Sequence, residues 1–186
     1  TYTQVPTQPT GSGYIDPFVR IGAASTSVVQ GYNTTVNNVY QNGNDNTFNH
    51  EVTVGDIGLI DTNGALDGGL VMRFLLDINQ TSADPLLSLN EFQLYISSTA
   101  NQSLEPTLGL FDTIPLGTLV YQMDGGGVDS RVELDYSNNS GSGSGDMIVD
   151  IPFELLNAAF FAGGFDTALE QNGAFIYLYS RFGETD

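Results

Sequence analysis

The sequence predicts an all-β domain, a two-sheet antiparallel sandwich of jelly-roll type with about ten strands and one short helix. Three observations carry that expectation. Residues Leu70–Asn79 alternate, with Leu70, Met72, Phe74, Leu76 and Ile78 on one face and Arg73, Asp77 and Asn79 on the other, the period of a half-buried strand. Similar short apolar or alternating runs recur along the chain, separated by clusters of Gly, Asn, Asp and Pro. The composition, 40% hydrophobic and 11% aromatic over 186 residues, suits one folded domain with a real core. No apolar run approaches the roughly 18 residues of a membrane span.

In chain order, Thr1–Gly13 (TYTQVPTQPTGSG) is polar, Thr-rich and holds two prolines, which disfavours helix and predicts an extended arm ahead of a domain at 14–186. Strands are expected at Tyr14–Ala23, Ser27–Tyr32, His50–Val54, Gly58–Asp61 and Leu70–Asn79. Further strands are expected at Leu89–Ser97, Leu116–Met123, Arg131–Ser137, Met147–Ile151 and Ala174–Phe182. In Leu89–Ser97 the inward set is Phe92, Leu94 and Ile96, with Glu91, Gln93 and Tyr95 outward; in Arg131–Ser137 it is Val132, Leu134 and Tyr136. Turn signals stand at Asp61–Gly64, Asp67–Gly69, Asp124–Gly127 and Asn172–Gly173. Pro at a first-turn position and a following Gly163-Gly164 predict a helix over Pro152–Phe161. The Asn-dense stretch Thr34–Asn49 reads as a long surface loop.

Charge and missing residue types narrow the function. The chain has 22 Asp and Glu against four Arg, no Lys, one His and no Cys, for a net charge of −18. Nucleic acid and anionic membrane surfaces are therefore poor partners, and no membrane insertion is expected. Disulfides, thiolate chemistry, Cys-ligated zinc, multi-His metal sites, Schiff bases and Lys isopeptide links are closed off. The first residue is Thr rather than Met, from which removal of an N-terminal export signal is expected.

Clustered oxygen donors in Gly-rich turns point to calcium. The two candidate sets are Asp77, Asn79 and Asp84, with Glu91 nearby, and Asp124, Asp129 and Asp135. Neither matches an EF-hand or nonapeptide repeat, and the same residues make turns through their own side-chain hydrogen bonds. Glu133 and Asp135 share a strand face about 6–7 Å apart, a spacing that glycoside hydrolysis can use. The chain has no Trp for sugar stacking, and a solvated outer face explains the pattern equally. His50 stands without a nucleophile beside it and reads as structural. The Ser140–Gly145 repeat lacks the Lys of a phosphate loop and reads as a turn. Sequons at Asn33, Asn79, Asn101 and Asn138 are glycan acceptors if the chain is exported along a glycosylating route.

Five segments, in one order, carry a resemblance: GYIDPF from Gly13, QGYNT from Gln30, FLLDIN from Phe74 with LSLNE from Leu87, LDY from Leu134 running into GSGSGDM from Gly141, and YLYSRFG from Tyr177. In these the chain resembles uncharacterised secreted β-rich proteins of the PEP-CTERM, exosortase-sorted type, although it ends at Asp186 short of a sorting tail. The resemblance implies an extracellular or cell-surface location and says nothing about chemistry. With the composition, it leads us to expect a non-enzymatic structural protein, a homopolymeric filament or matrix subunit. Its assembly residues are Thr1, Tyr2, Thr3, Val5 and Thr7, in an arm that adds as an edge strand to another copy. The alternative is a calcium-dependent module that binds extracellular glycans or adheres to surfaces.

Overall fold

The computed structural model describes residues 1–4, 16–22, 27–62, 69–109, 112–138 and 145–183. The chain forms β1 (Tyr2–Gln4), β2 (Val29–Tyr32), β3 (Val52–Thr53), α1 (Val54–Ile57), β4 (Ile60–Asp61), β5 (Leu70–Leu76), β6 (Leu86–Ser97) and β7 (Thr118–Gln122). β8 (Val132–Asp135), β9 (Met147–Pro152), α2 (Phe153–Gly163), α3 (Ala168–Gly173) and β10 (Phe175–Gly183) complete it. The strands make two antiparallel sheets, the all-β sandwich that the alternation predicts.

One sheet runs β1-β9-β5-β4. The other is built on the long central pair β6 and β10, with Phe175 opposite Ser97 and Tyr179 opposite Gln93. Each central strand has a divided outer edge. β10 pairs with β2 through Tyr179–Phe182 and with β3 through Phe175 and Ile176; β6 pairs with β7 at one end and β8 at the other.

The main core lies between the sheets, where period two turns one side of every strand inward. Met72 and Phe74 of β5, with Val149 and Ile151 of β9, meet Phe92, Leu94 and Ile96 of β6 and Ile176 and Leu178 of β10. Phe74, Phe92, Leu94 and Leu134 are buried there, while Leu76 and Val132 are half-buried at the margin. α2 closes one end through Leu156, Ala159 and Phe160. Gly164, left-handed at φ 73°, caps the helix, which Phe165 N–H seals by donating to Phe160 O at 3.0 Å.

Residues 16–22, expected within a strand, are not in one. Pro17 has no N–H to give a ladder, and the segment instead bonds to the loop beyond β2. His50 N–H donates to Phe18 O, Arg20 N–H to Asn49 Oδ1 at 2.7 Å and Gly22 N–H to Gln41 O. Residues 14, 15 and 23 of that expectation lie outside the described residues.

The Asn-dense loop differs from its reading as surface. Thr34, Val39, Asn42 and Asn49 are each at most 3% exposed, because their amides and hydroxyls do the work of a strand. Asn49 Nδ2 donates to Asn42 O at 2.7 Å and Asn42 Nδ2 to Tyr32 O, and Gly31 leaves space for the Asn42 carboxamide. Glu51 staples this loop to the next, its carboxylate accepting from Thr34 Oγ1, from Thr35 N–H and Oγ1, and from Asn101 N–H at 3.0 Å.

α3 was not anticipated from the sequence, yet its cap is legible there as Thr167-x-x-Glu170. Glu170 N–H donates to Thr167 Oγ1, and the Glu170 carboxylate accepts from Thr167 N–H at 2.9 Å. Thr167→Ala should lower stability by about 1 kcal/mol in a urea melt without altering the β-rich circular dichroism spectrum.

Candidate functional site

β1 sits at the edge of the four-stranded sheet, with Tyr2 opposite Val149, Thr3 opposite Ile148 and Gln4 opposite Met147. The Thr1 ammonium donates to Asp150 O at 2.9 Å, and Asp150 N–H returns a bond to Thr1 O. The Tyr2 ring holds the strand down, meeting Phe92 edge-to-face at 6.4 Å and hydrogen-bonding the Tyr121 hydroxyl at 3.2 Å. Burial and that hydrogen bond push the Tyr2 phenol pKa upward. The arm was expected to dock on another copy; here its described residues dock on their own chain. The reason is simple geometry, because β9 offers an unpaired edge and Tyr2 an aromatic socket within reach. Of the expected assembly residues, Thr1, Tyr2 and Thr3 lie in or beside this strand, while Val5 and Thr7 lie outside the described residues.

Neither expected calcium set gathers three acidic side chains among the described residues. Asp77 is half-buried and faces Asp146, whereas Asn79 is exposed and Asp84 closes an exposed turn, its N–H donating to Thr81. Glu91 stands apart from the first set, because alternation along β6 carries it to the outer face of the six-stranded sheet, where its electrostatic neighbours are Asp112 and, from the second set, Asp124 and Asp129. In the second set Asp124 and Asp129 interact electrostatically, and Asp124 Oδ1 accepts from Ser130 N–H at 2.8 Å. Asp135 pairs with Leu86 while Met123 bonds to Phe92 O, so β6 holds Asp135 about 15–20 Å away from Asp124 at roughly 3.3 Å per residue. The Asp135 carboxylate caps Ser137 N–H and Oγ, which hold its pKa down. Among the described residues no three acidic, His or Cys side chains converge as a metal set.

The sequons divide. Asn79, Asn101 and Asn138 are exposed. Asn33 is 0% exposed, its Nδ2 donating to Ile176 O at 2.8 Å and its Oδ1 accepting from Leu178 N–H at 2.7 Å. The fold leaves no room for a glycan on it, and that expectation is corrected. His50 contributes its main chain to the loop bonding already described.

What the alternation hid is the layer over the outer face of the six-stranded sheet. Tyr32, Tyr95, Tyr177 and Tyr179 are each at most 1% exposed beneath Val39, Ile114 and Leu116 of the covering loops. Their hydroxyls are partnered, Tyr177 to Thr99 O, Tyr32 to Leu104 O and Tyr179 to Gln30 Oε1 at 2.6 Å. At the end of this face Glu91, 2% exposed, takes Arg181 Nη2 at 2.8 Å. Burial, with Asp124, Asp112 and Asp129 around it and Arg181 opposing, raises the Glu91 pKa to about 7. The tyrosine repeat in YLYSRF was the one available signal of a covered face.

The chain matches no protein-family model, no curated protein and no solved structure. Among the described residues no helix is long and apolar enough to cross a membrane.

Proposed function

We propose that this protein is a non-enzymatic extracellular structural subunit whose N-terminal strand can exchange between copies, building a filament or matrix. The observation that carries this reading is β1 itself. It is a three-residue terminal strand on a sheet edge, held by main-chain bonds and one aromatic anchor. Eleven residues (5–15) separate it from Asp16, a length that spans up to about 40 Å at roughly 3.3–3.6 Å per residue. The same contacts can therefore form on a neighbour's β9 as on its own, which is the condition for strand exchange at low cost. Lacking Lys and Cys, such an assembly is held noncovalently. The extracellular location rests on the resemblance to exported β-rich proteins.

Electron microscopy and sedimentation of the full chain beside a variant lacking residues 1–4 test this. The full chain should polymerise. The truncated domain should stay monomeric, melt cooperatively and bind a synthetic peptide of residues 1–9. Tyr2→Asp should weaken assembly without unfolding. A full chain that remains monomeric at every concentration, or a truncated domain that polymerises like the full chain, overturns the proposal.

A further inference from the structure

α2 buries Leu156, Ala159 and Phe160, and its opposite side carries a large ring in solvent, Phe161 at 88% exposure. A lone exposed apolar side chain needs no explanation, but this one stands on the wall of a cleft. The cleft, of about 440 Å³, opens between the last turns of α2 and the turn into α3, within the roughly 300–1,000 Å³ of small-molecule sites. Phe160 and Phe165 line it too, their rings edge-to-face at 6.1 Å. The chain fixes these walls itself. Phe165 N–H donates to Phe160 O at 3.0 Å, and Gln171 Nε2 reaches back from α3 to Phe165 O at 3.0 Å. The cleft is therefore pre-formed, which lowers the ordering cost of binding.

Three polar side chains line the same cleft: Asn157, one helical turn before Phe161 and so on its face, with Asp166 from the turn and Gln171 from α3. Neither the Asn157 carboxamide nor the Asp166 carboxylate has a hydrogen-bond partner among the described residues, and Gln171 keeps its Oε1 as an acceptor. Planar polar groups beside an aromatic face match a sugar ring, supplying donors and acceptors for its hydroxyls and a negative ring face for its C–H bonds. Other occupants fit worse. A purely aliphatic segment would leave three polar groups covered and unpaired. A second copy of this chain brings a further charge of −18. Anions find no counter-charge, because the chain has no Lys and none of its four Arg lines the cleft. Asp166 repels them, as does Glu170, whose carboxylate accepts from Asp166 N–H at 3.1 Å.

We propose that this cleft binds one uncharged pyranose unit of a saccharide, stacked on Phe161 and hydrogen-bonded by Asn157, Asp166 and Gln171. The site is independent of strand exchange by β1.

Saturation-transfer NMR on the full chain tests this, because it observes the sugar's own protons and works on monomer and polymer alike. The probes are the methyl pyranosides of glucose, galactose, mannose and N-acetylglucosamine, with cellobiose, each up to about 50 mM so that millimolar affinities are covered. At least one should bind saturably, with the strongest transfer on the C–H protons of one ring face. Phe161→Ala and Phe161→Leu, the second of which keeps apolar bulk without a ring face, should each weaken that probe by at least about tenfold, and Phe161→Tyr should bind like the native chain. Asn157→Leu should weaken it by a similar factor, while Asp166→Asn, which keeps an acceptor, should change it by less than about threefold. Val128→Ser, at an exposed apolar position between β7 and β8, should leave binding unchanged. If a Phe161 variant does not fold, the one-faced transfer pattern and Asn157→Leu decide. Tighter binding of cellobiose than of the methyl glucoside identifies a polysaccharide chain as the source, and equal binding a free or terminal sugar. No saturable transfer from any probe, native affinity in Phe161→Leu, or displacement of the probe by methyl glucuronide or Nα-acetyl-lysine amide at equal concentration would overturn the proposal. The first outcome would mean that no saccharide binds, the second a general apolar contact, the third a site for a charged ligand.

Discussion

Asn33→Ala should cost about 3–5 kcal/mol of folding stability, among the largest effects of any single polar substitution in this chain. β2 ends at Tyr32 opposite Tyr179, and β3 pairs with β10 only through Phe175 and Ile176, so the edge of β10 has a gap at Tyr177 and Leu178. The Asn33 carboxamide fills it as a strand's own peptide group would, donating to Ile176 O and accepting from Leu178 N–H. Removing it leaves one carbonyl and one N–H buried beneath the covering loops, each costing about 1–3 kcal/mol when unmet. Asn33→Asp separates hydrogen bonding from shape. It keeps the acceptor for Leu178 but sets a carboxylate against the Ile176 carbonyl, so it should be severely destabilising at neutral pH and milder in acid, where the carboxyl can donate. Urea melts of the three proteins at pH 5 and pH 8 measure both effects. A loss under about 1 kcal/mol for Asn33→Ala would mean that water replaces the amide, and that the gap in the ladder is not sealed.

The sandwich was legible because β5, β6, β9 and β10 alternate cleanly, and because Asn, Asp and Gly mark the ends of those strands. The outer layer was not. In Tyr177-Leu178-Tyr179-Ser180-Arg181 the outward positions are amphipathic, and a tyrosine row reads the same whether it faces water or a loop that satisfies its hydroxyls. Asn42 and Asn49 look like loop formers for the same reason that they work as buried ladder pieces, since a carboxamide copies a peptide group. Proximity in sequence misled the search for acid clusters. Asp77 and Asp84 are close in sequence but serve different turns, while Asp77 meets Asp146 across the pairing of β5 with β9. Asp124 and Asp135 lie eleven positions apart, but the register of β7 and β8 along β6 separates them. Which acids come together is decided by strand register, and register follows from long-range pairing that local patterns do not encode.

Arg181→Met should destabilise the protein by about 3 kcal/mol at pH 8 and by much less at pH 5. Arg181 is the cation that faces Glu91, a nearly enclosed carboxyl that also sees Asp124 from the end of β7, Asp129 from the following turn and Asp112 from the covering loop. Above pH 7 the variant must bury an uncompensated charge, whereas near pH 5 Glu91 is protonated and the missing guanidinium matters little. The native chain carries the same signature in weaker form. Glu91 ionises near pH 7 when folded and near its ordinary 4.5 when unfolded, so between those values the folded state holds the extra proton and stability falls as pH rises. Asp146, raised by burial to about 6 from 3.8, acts in the same direction over a lower window. Asp56, Asp135 and Glu170 act oppositely, their pKa values lowered by the hydroxyl and N–H groups of Thr53, Ser137 and Thr167, and they lose their contribution only as pH falls through the acid range. Stability should therefore peak near pH 5 and decline towards pH 8, a direction that the net charge of −18 reinforces. Adding Glu91→Gln to Arg181→Met removes the buried charge itself, so the double variant should recover most of the pH 8 loss and fall less between pH 5 and pH 8 than the native chain, the remaining slope lying mainly below pH 6 where Asp146 titrates. Melting curves that fall equally at both pH values for Arg181→Met would show that the arginine acts by packing its stem against the tyrosine face rather than by neutralising Glu91.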